Sequence, residues 1–194
     1  DLYEDGIRAN VGGRASILWD DGRRASLLVG RSLRTKTNDV FTEQSGLRSK
    51  ASDWIVAVNA EPMQGLSLFT RARLDDDLSV ARAEMGVNVH NKWGSGYVRY
   101  LRDRANPNDD KVENVDLGGQ LKLTKNWGLT AYGNRDMEQD AWVIRDLGVY
   151  YTDECTRIDF IYRKEDTLRG RLGPSSSFTV RLTLATLGEP LYGN

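Results

Sequence analysis

Few residues of this sequence have the types and spacing that enzyme chemistry requires. His90 is the one imidazole of the chain, and it lies on the polar side of an alternating segment. A histidine in that position is more simply a solvent-facing residue than a catalytic base. No G-x-S-x-G motif, which would present a nucleophilic serine, accompanies it. We therefore predict no catalytic residues and no enzymatic activity.

Metal ligands and cysteines are equally sparse. One His and one Cys cannot form a structural zinc site, and Asp75-Asp76-Asp77 lacks the glycine and terminal glutamate of a calcium loop. We expect no metal and no cofactor, and a solvated loop at the three aspartates. Cys155 follows the acidic pair Asp153-Glu154. It is either a small residue at a strand start or half of a disulfide whose partner lies outside these 194 residues.

Composition narrows the class of protein. Charged residues make up 28% of the chain and hydrophobic residues 39%, and no stretch approaches the ~18 apolar residues of a transmembrane helix. The chain has 27 basic and 28 acidic residues, so its charges are nearly balanced. A balanced chain has no electrostatic preference for nucleic acid, and we predict no nucleic-acid partner. A leader sequence is not recognisable, which leaves the compartment open.

Hydrophobic residues recur with a period of two along the whole chain. In residues 7–19 one parity reads Ile, Ala, Val, Gly, Ala, Ile, Trp, and similar alternation occurs at 81–90, 115–124 and 178–184. This period is typical of strands with one apolar and one polar face. We count roughly eleven such runs of ~10 residues, which predicts an all-β, antiparallel, up-and-down meander.

The connectors between these runs alternate between short and long. Asp20-Asp21-Gly22, Asn91-Lys92 and Asp153-Glu154 are typical of tight turns, whereas segments such as 34–50 and 165–177 are longer and polar. Transmembrane β-barrels combine short periplasmic turns with longer outer loops, and their strands need ~9–11 residues to cross the bilayer. The pattern favours an outer-membrane barrel over the alternative, a soluble all-β binding domain. A porin-like channel or a hydrolase acting in the lumen also stays open.

The five tryptophans all fall at the ends of the predicted strands. Trp19, Trp93 and Trp127 adjoin short turns, while Trp54 and Trp142 adjoin long connectors. Two aromatic belts at the two membrane interfaces would produce this distribution. The polar parity, which contains Arg14, Asp116, Lys122, Arg157, Asp159 and Arg181, would then line a wet lumen. Arg145 is an exception on the apolar parity, and we expect it either to extend toward the loop end or to mark a β-bulge.

Several stretches of the chain are more specific than the alternation of its strands. They are 5–12 (DGIRANVG), 25–32 (ASLLVGRS), 153–160 (DECTRIDF), Arg163, 172–174 (LGP) and 178–188 (FTVRLTLATLG). The acidic turn with its cysteine and the Gly-Pro to Leu-Gly ending are the most specific of them. Together these stretches resemble the LptD (OstA/Imp) family of outer-membrane lipopolysaccharide-assembly proteins.

The resemblance implies a function in lipopolysaccharide (LPS) transport at the outer membrane of a Gram-negative cell. It implies four partners: LPS, outer-membrane lipid, an LptE-like lipoprotein plug in the lumen, and a periplasmic LptA-like bridge that delivers LPS through an N-terminal domain. The strand that contains Phe178, Val180, Leu182 and Leu184 would be the last of the barrel and one lip of the lateral gate. Cys155 would link the barrel to the periplasmic domain by a disulfide. Where the family has two adjacent cysteines, this chain has Cys155-Thr156.

The resemblance also predicts the organisation of the chain. Residues 1–188 would be the C-terminal segment of such a barrel and residues 189–194 a short tail. Bacterial single-chain barrels have an even number of strands, and a first strand at Ile7 would leave an unpaired edge, which lipid does not tolerate. We therefore expect further strands outside these residues, without which the segment does not close.

Overall fold

The computed structural model describes residues 6–105, 111–166 and 173–184. Eleven strands of 9 to 12 residues run through them, because the period-two pattern persists and Gly, Asn and Asp interrupt it at the turns. The strands are β1 (Arg8–Leu18), β2 (Arg24–Arg34), β3 (Trp54–Met63), β4 (Leu66–Leu74), β5 (Val80–Asn91), β6 (Gly94–Asp103), β7 (Val112–Lys122), β8 (Trp127–Asp136), β9 (Ala141–Thr152), β10 (Thr156–Glu165) and β11 (Ser175–Leu184).

The strands follow one another in a single sheet in chain order, and the pairs for which a register is resolved are antiparallel. The prediction of an all-β antiparallel meander of about eleven strands is confirmed. Across the described residues the sheet is not closed, and β1 and β11 stand at the two ends of the strand order, as in a portion of a barrel. One short 3-10 helix, Glu43–Ser45, interrupts the connection between β2 and β3. No helix in the described part of the chain is long and apolar enough to cross a membrane.

β3 continues through Pro62 to Met63, with a register shift against β4 between Ala60 and Met63, so the turn before β4 is confined to residues 64–65. The strand start predicted at Phe178 moves slightly. β11 begins at Ser175, because pairing with Glu165 of β10 extends the ladder into three serines that carry no alternation. The residues beyond Leu184, including the predicted tail at 189–194, lie outside the described ranges.

The chain divides into two compact units. Unit 1 comprises the described residues of 1–88 and 99–114, and unit 2 those of 89–98 and 115–194. In unit 1 the register of β1 to β4 places Ala15, Leu27, Val58 and Thr70 side by side on one face. The same register places Ser16, Ser26, Asn59 and Phe69 side by side on the opposite face. The alternation therefore produces an apolar and a polar face across several strands.

Unit 2 shows the same division between β8 and β11. Leu129, Val149, Phe160 and Val180 form one row on the apolar face. Gly128, Tyr150, Asp159 and Arg181 form a row on the polar face. In the described residues Tyr150 is the one hydrophobic side chain that is buried, whereas Leu147 on the apolar face is 66% exposed. In unit 2 the buried side chains thus lie on the polar face and the exposed hydrophobic ones on the apolar face. A soluble domain has the reverse distribution.

Two glycines on the polar face of unit 2 make room for tyrosine rings. A Cβ on Gly118 would lie 2.8 Å from the Tyr97 ring, and a Cβ on Gly128 would overlap the Tyr150 ring. Glycine normally weakens a strand. At these two positions the missing side chain lets the aromatic ring lie close to the backbone.

Arg145 both extends toward the loop end of its strand and lies beside a β-bulge. It lies on the apolar parity of β9 and forms an ion pair with Asp166, just beyond the end of β10. The register between β8 and β9 also shifts beside it, where Asn134 pairs with Ile144 and Arg135 with Trp142. The bulge and the ion pair together take the guanidinium to the loop end of the strand.

Candidate functional site

The structure places the five tryptophans at strand ends. Trp19 follows β1, Trp93 lies in the turn before β6, and Trp127 begins β8, whereas Trp54 begins β3 and Trp142 is the second residue of β9. Four of the five have a cationic side chain over the ring. These pairs are Arg23 on Trp19, Arg31 on Trp54, Lys92 on Trp93, and both Arg135 and Arg145 on Trp142, at 4.9 to 5.8 Å from the ring centroid. Trp127 instead meets Tyr151 edge to face.

The four predicted gate residues share one face of β11. Phe178, Val180, Leu182 and Leu184 lie opposite Tyr162, Phe160, Ile158 and Thr156 of β10. All four are exposed, and Phe178 is 67% exposed. In the described residues β11 pairs with β10 on one side only.

Cys155 lies in the tight turn between β9 and β10. The Asp153 carboxylate accepts hydrogen bonds from the backbone N–H groups of Cys155 and Thr156 at 2.9 and 2.8 Å, which fixes the turn. Asn126 of the preceding short turn is bonded to Thr152 in both directions. The thiol is free and exposed at the surface that these two turns share.

His90 lies in β5, whereas Asp75 and Asp76 make contacts that hold the turn after β4. His90 is exposed as the penultimate residue of β5. Asp75 caps its own turn by accepting the N–H of Ser79 at 2.8 Å, and Asp76 forms a 2.6 Å ion pair with Arg31. The described residues contain no group of three or more potential metal ligands.

The polar face of unit 2 is a network of paired charges. Arg157 donates to both carboxylate oxygens of Asp159, at 2.7 and 3.0 Å, and its guanidinium lies 4.2 Å from the centroid of the Tyr150 ring. Asp159 is only 4% exposed. Such charge-assisted, two-pronged contacts hold a guanidinium in a fixed orientation.

A second group on this face is centred on Asp116. Its Oδ1 accepts hydrogen bonds from the Tyr132 hydroxyl at 3.0 Å and from the Asn134 amide at 2.7 Å. Beside it Arg163 donates to both oxygens of Asp146, at 2.9 and 2.7 Å. Asp116 and Asp146 are therefore satisfied by side chains on adjacent strands, and Asp159 by Arg157 on its own strand.

The polar face of unit 1 is different, because it is concave and carries excess positive charge. A cavity of about 620 Å³ lies over β1 to β4. Its charged lining residues are Arg14, Arg24, Arg71 and a single carboxylate, Glu61, and apolar side chains such as Ile17 and Leu68 also border it. Arg24 pairs with Glu61 at 2.5 Å, while in the part of the chain that the structure describes no acidic side chain pairs with Arg14 or Arg71. We call this site the arginine trough. The alternation in the sequence placed Arg14 on the polar face but did not predict the trough. The residues of the trough come from four strands, and only the cross-strand register brings them together.

The long connection between β2 and β3 is tied to the edge of this face. Arg73 donates to the backbone carbonyls of Ser45 and Gln44 at 2.9 and 2.6 Å, and its guanidinium lies 3.1 Å from the Asp53 carboxylate. Burial raises the pKa of Asp53 above its ordinary value of 3.8, against the opposing charge of Arg73 and with further repulsion from Asp75 and Asp76. These contacts give the connection a defined fold.

Comparison with known proteins identifies the family. A family model described as LptD, LPS transport system D, matches residues 1–127. No curated protein matches the chain. The matched segment covers unit 1 and the beginning of unit 2, so it includes the arginine trough and leaves out Cys155 and β11. With nearly two thirds of its length matched, the chain belongs to the LptD family of the LPS transport system.

Proposed function

We propose that this chain forms part of the wall of an outer-membrane β-barrel that inserts LPS into the outer leaflet. The observation that carries the proposal is that the LptD family model matches residues 1–127, whose strands have one apolar and one polar face. The chain performs no covalent chemistry in this scheme, and its contribution is a surface along which an amphipathic lipid moves.

The apolar faces support a position in lipid. On unit 1 the exposed side chains include Ile17, Leu27 and Val58, and on unit 2 they include Leu147 and Val180. Their exposure to water would be unfavourable by ~25 cal/mol per Å² of apolar area. Outer-membrane lipid is the partner that would cover such faces on an antiparallel sheet.

The polar faces would line the lumen. Sugar and phosphate groups of LPS would pass along them, and an LptE-like lipoprotein would fill the rest of the lumen. The paired network of unit 2 supports a rigid wall, because most of its charges already have partners within hydrogen-bond distance. Acyl chains cannot follow this polar path and need an opening toward the lipid.

β11 would provide one lip of that opening. Its apolar row, Phe178 to Leu184, is exposed, and its hydrogen bonds within the described residues go to β10 alone. A strand with one free edge can exchange backbone pairing with a second strand or part from it. Lateral separation at this edge would let acyl chains move directly into the bilayer.

Cys155 would join the barrel to a periplasmic domain that receives LPS from an LptA-like bridge. The thiol is free, exposed and held in a fixed turn on the short-turn side of unit 2. Because the sequence has one cysteine, its bonding partner must lie outside these 194 residues. Labelling with a maleimide before and after reduction tests this: a thiol that reacts fully without reductant contradicts the disulfide.

Site-specific photocrosslinking in living cells tests the proposal as a whole. A photoreactive residue at Thr179, on the polar parity of β11, should capture LPS, whereas the same residue at Val180 should capture phospholipid and LPS acyl chains. Position 149 in β9 is the matched control on the apolar parity, away from the edge of the sheet, and should capture phospholipid only. Absence of LPS adducts at both positions of β11 would contradict the proposed transport path.

A further inference from the structure

We propose that the arginine trough of unit 1 binds the phosphorylated saccharide of the transported lipid. The inference rests on the proposed function and adds to it a particular site. It depends on three features of the trough: its excess positive charge, the placement of its arginines and the side chains between them.

The charge of the trough differs from that of the chain. The whole sequence has a formal net charge of −1, whereas the trough holds three arginines and one glutamate. Glu61 is engaged by Arg24 at 2.5 Å, so that the positive charge of Arg14 and Arg71 is left for a ligand. Arginine donates two parallel N–H groups that match the oxygens of a phosphate, which favours an anionic ligand of this geometry.

The register separates the two arginines across the trough. Arg14 lies opposite Leu28 on β2, Leu28 opposite Ala57 on β3, and Ala57 opposite Arg71 on β4. Three strand spacings of ~4.8 Å put the two arginine backbones about 14 Å apart. The residues between them are uncharged, so a ligand with two separated phosphate groups would meet one guanidinium at each side.

The neighbouring row suits a sugar. Ser16, Ser26, Asn59 and Phe69 lie side by side on the same face and line the trough. The Asn59 amide is 3.4 Å from the Ser26 hydroxyl, a long contact that leaves both groups available to sugar hydroxyls. The guanidinium of Arg71 lies 5.5 Å from the centroid of Phe69, which orients the arginine beside an aromatic surface. Hydroxyl, amide and aromatic groups in the row beside two cations favour a phosphorylated saccharide over a free inorganic anion.

Direct binding to the full protein in detergent tests the inference. The probe is a radiolabelled disaccharide with a phosphate at each end, and the competitors are the same disaccharide without phosphates and inorganic phosphate. The double variant Arg14→Gln/Arg71→Gln should bind the probe at least about tenfold more weakly, because two charge-assisted contacts are lost. Arg14→Lys/Arg71→Lys should recover part of the affinity, since lysine keeps the charge without the fork.

Arg48→Gln is the matched control. Arg48 lies in the connection between β2 and β3, pairs with Asp39 and Glu43, and does not line the trough. Its substitution should leave the affinity for the probe unchanged. Equal binding by the wild-type and glutamine double variants would overturn the inference. Competition by the unphosphorylated disaccharide or by inorganic phosphate at the concentration of the probe would overturn the assignment to a phosphorylated saccharide.

Crosslinking separates this inference from the proposed function. If LPS adducts at Thr179 persist while the trough does not bind the probe, the site is wrong and the transport path stands. If LPS adducts at β11 are absent as well, both are wrong. If the probe binds and the glutamine double variant loses it, with Arg48→Gln unchanged, the site is supported.

Discussion

The polar faces of the two units are built from the same alternation but differ in how their charges are arranged. In unit 2 the register places Asp146 opposite Arg163 and Asp159 opposite Arg181, and Arg157 reaches Asp159 along its own strand. In unit 1 it places Arg14 opposite Leu28 and Arg71 opposite Ala57. Cross-strand neighbours therefore decide whether a polar face becomes a rigid wall or a site that can receive a charged ligand.

The difference in burial supports this distinction. The side chains of Arg157 and Asp159 are 14% and 6% exposed, whereas those of Arg24 and Glu61 are 65% and 40% exposed. An ion pair that is shielded from water is costly to break on one side, while an exposed pair contributes little. We expect unit 2 to depend on its polar network for stability and unit 1 to tolerate changes in its polar face.

The largest expected effect is the removal of one partner of the buried pair. Asp159→Ala leaves Arg157 without its carboxylate at a mostly buried site, and should lower the free energy of unfolding by about 3 kcal/mol. Urea unfolding of the protein in detergent, followed by tryptophan fluorescence, measures it. Glu61→Ala in unit 1 is the control and should cost no more than about 1 kcal/mol. Equal losses for the two variants would contradict the comparison.

A smaller effect is expected at two glycines, and substitution by alanine should be costly only in unit 2. In unit 2, Gly128→Ala places a methyl group against the Tyr150 ring and should destabilise by about 1 to 3 kcal/mol. In unit 1, a Cβ at Gly13 would have no heavy atom within 4 Å, so Gly13→Ala should be neutral or stabilise by about 0.5 kcal/mol by restricting the unfolded chain. The same urea titration measures both. A harmless Gly128→Ala would mean that the ring does not pack against this backbone.

The smallest expected effect is a difference in pH dependence between one long connection of each unit. In unit 1 the pKa of Asp53 is raised by burial, so its charge is unfavourable in the folded state above that pKa. In unit 2 burial also acts to raise the pKa of Asp166, but hydrogen bonds from Arg145 and Lys164 outweigh it and leave the pKa below 3.8. Acidification should therefore stabilise the surroundings of Asp53 and weaken the contacts of Asp166 with Arg145 and Lys164.

The ranges of pH differ accordingly. As pH falls toward the raised pKa of Asp53, the protection factors of the backbone amides of residues 47–53, which are corrected for the slower intrinsic exchange in acid, should rise. The protection factors of the amides of residues 164–166 should fall only below pH ~4, where the unfolded carboxylate begins to bind a proton. Hydrogen exchange measured by mass spectrometry tests both, with Asp53→Asn and Asp166→Asn as the respective controls. Identical pH profiles at the two connections would show that the two carboxylates have the same environment.

Sequence patterning predicted the strands well and the site poorly, for physical reasons. In each alternating segment the period of two shows which side chains share a face. The strands β1 and β7 could therefore be predicted from their own residues. Arg145 broke the pattern, and the structure explains it by a bulge and by Asp166, 21 positions away. Such a partner comes from a neighbouring strand, and its distance along the chain depends on loop length and register.

The sequence by itself determined the fold class, the number of strands, the position of the tryptophans at strand ends, and the family to which the chain belongs. These properties follow from local alternation, from turn residues and from stretches that can be compared one at a time. The tertiary structure decided which polar residues meet. Arg14 and Arg71 are 57 positions apart in the chain, and only the pairing of β1 to β4 puts them on the same trough. Register is a property of the sheet, since a shift of one residue in any strand would move its side chains to the opposite face.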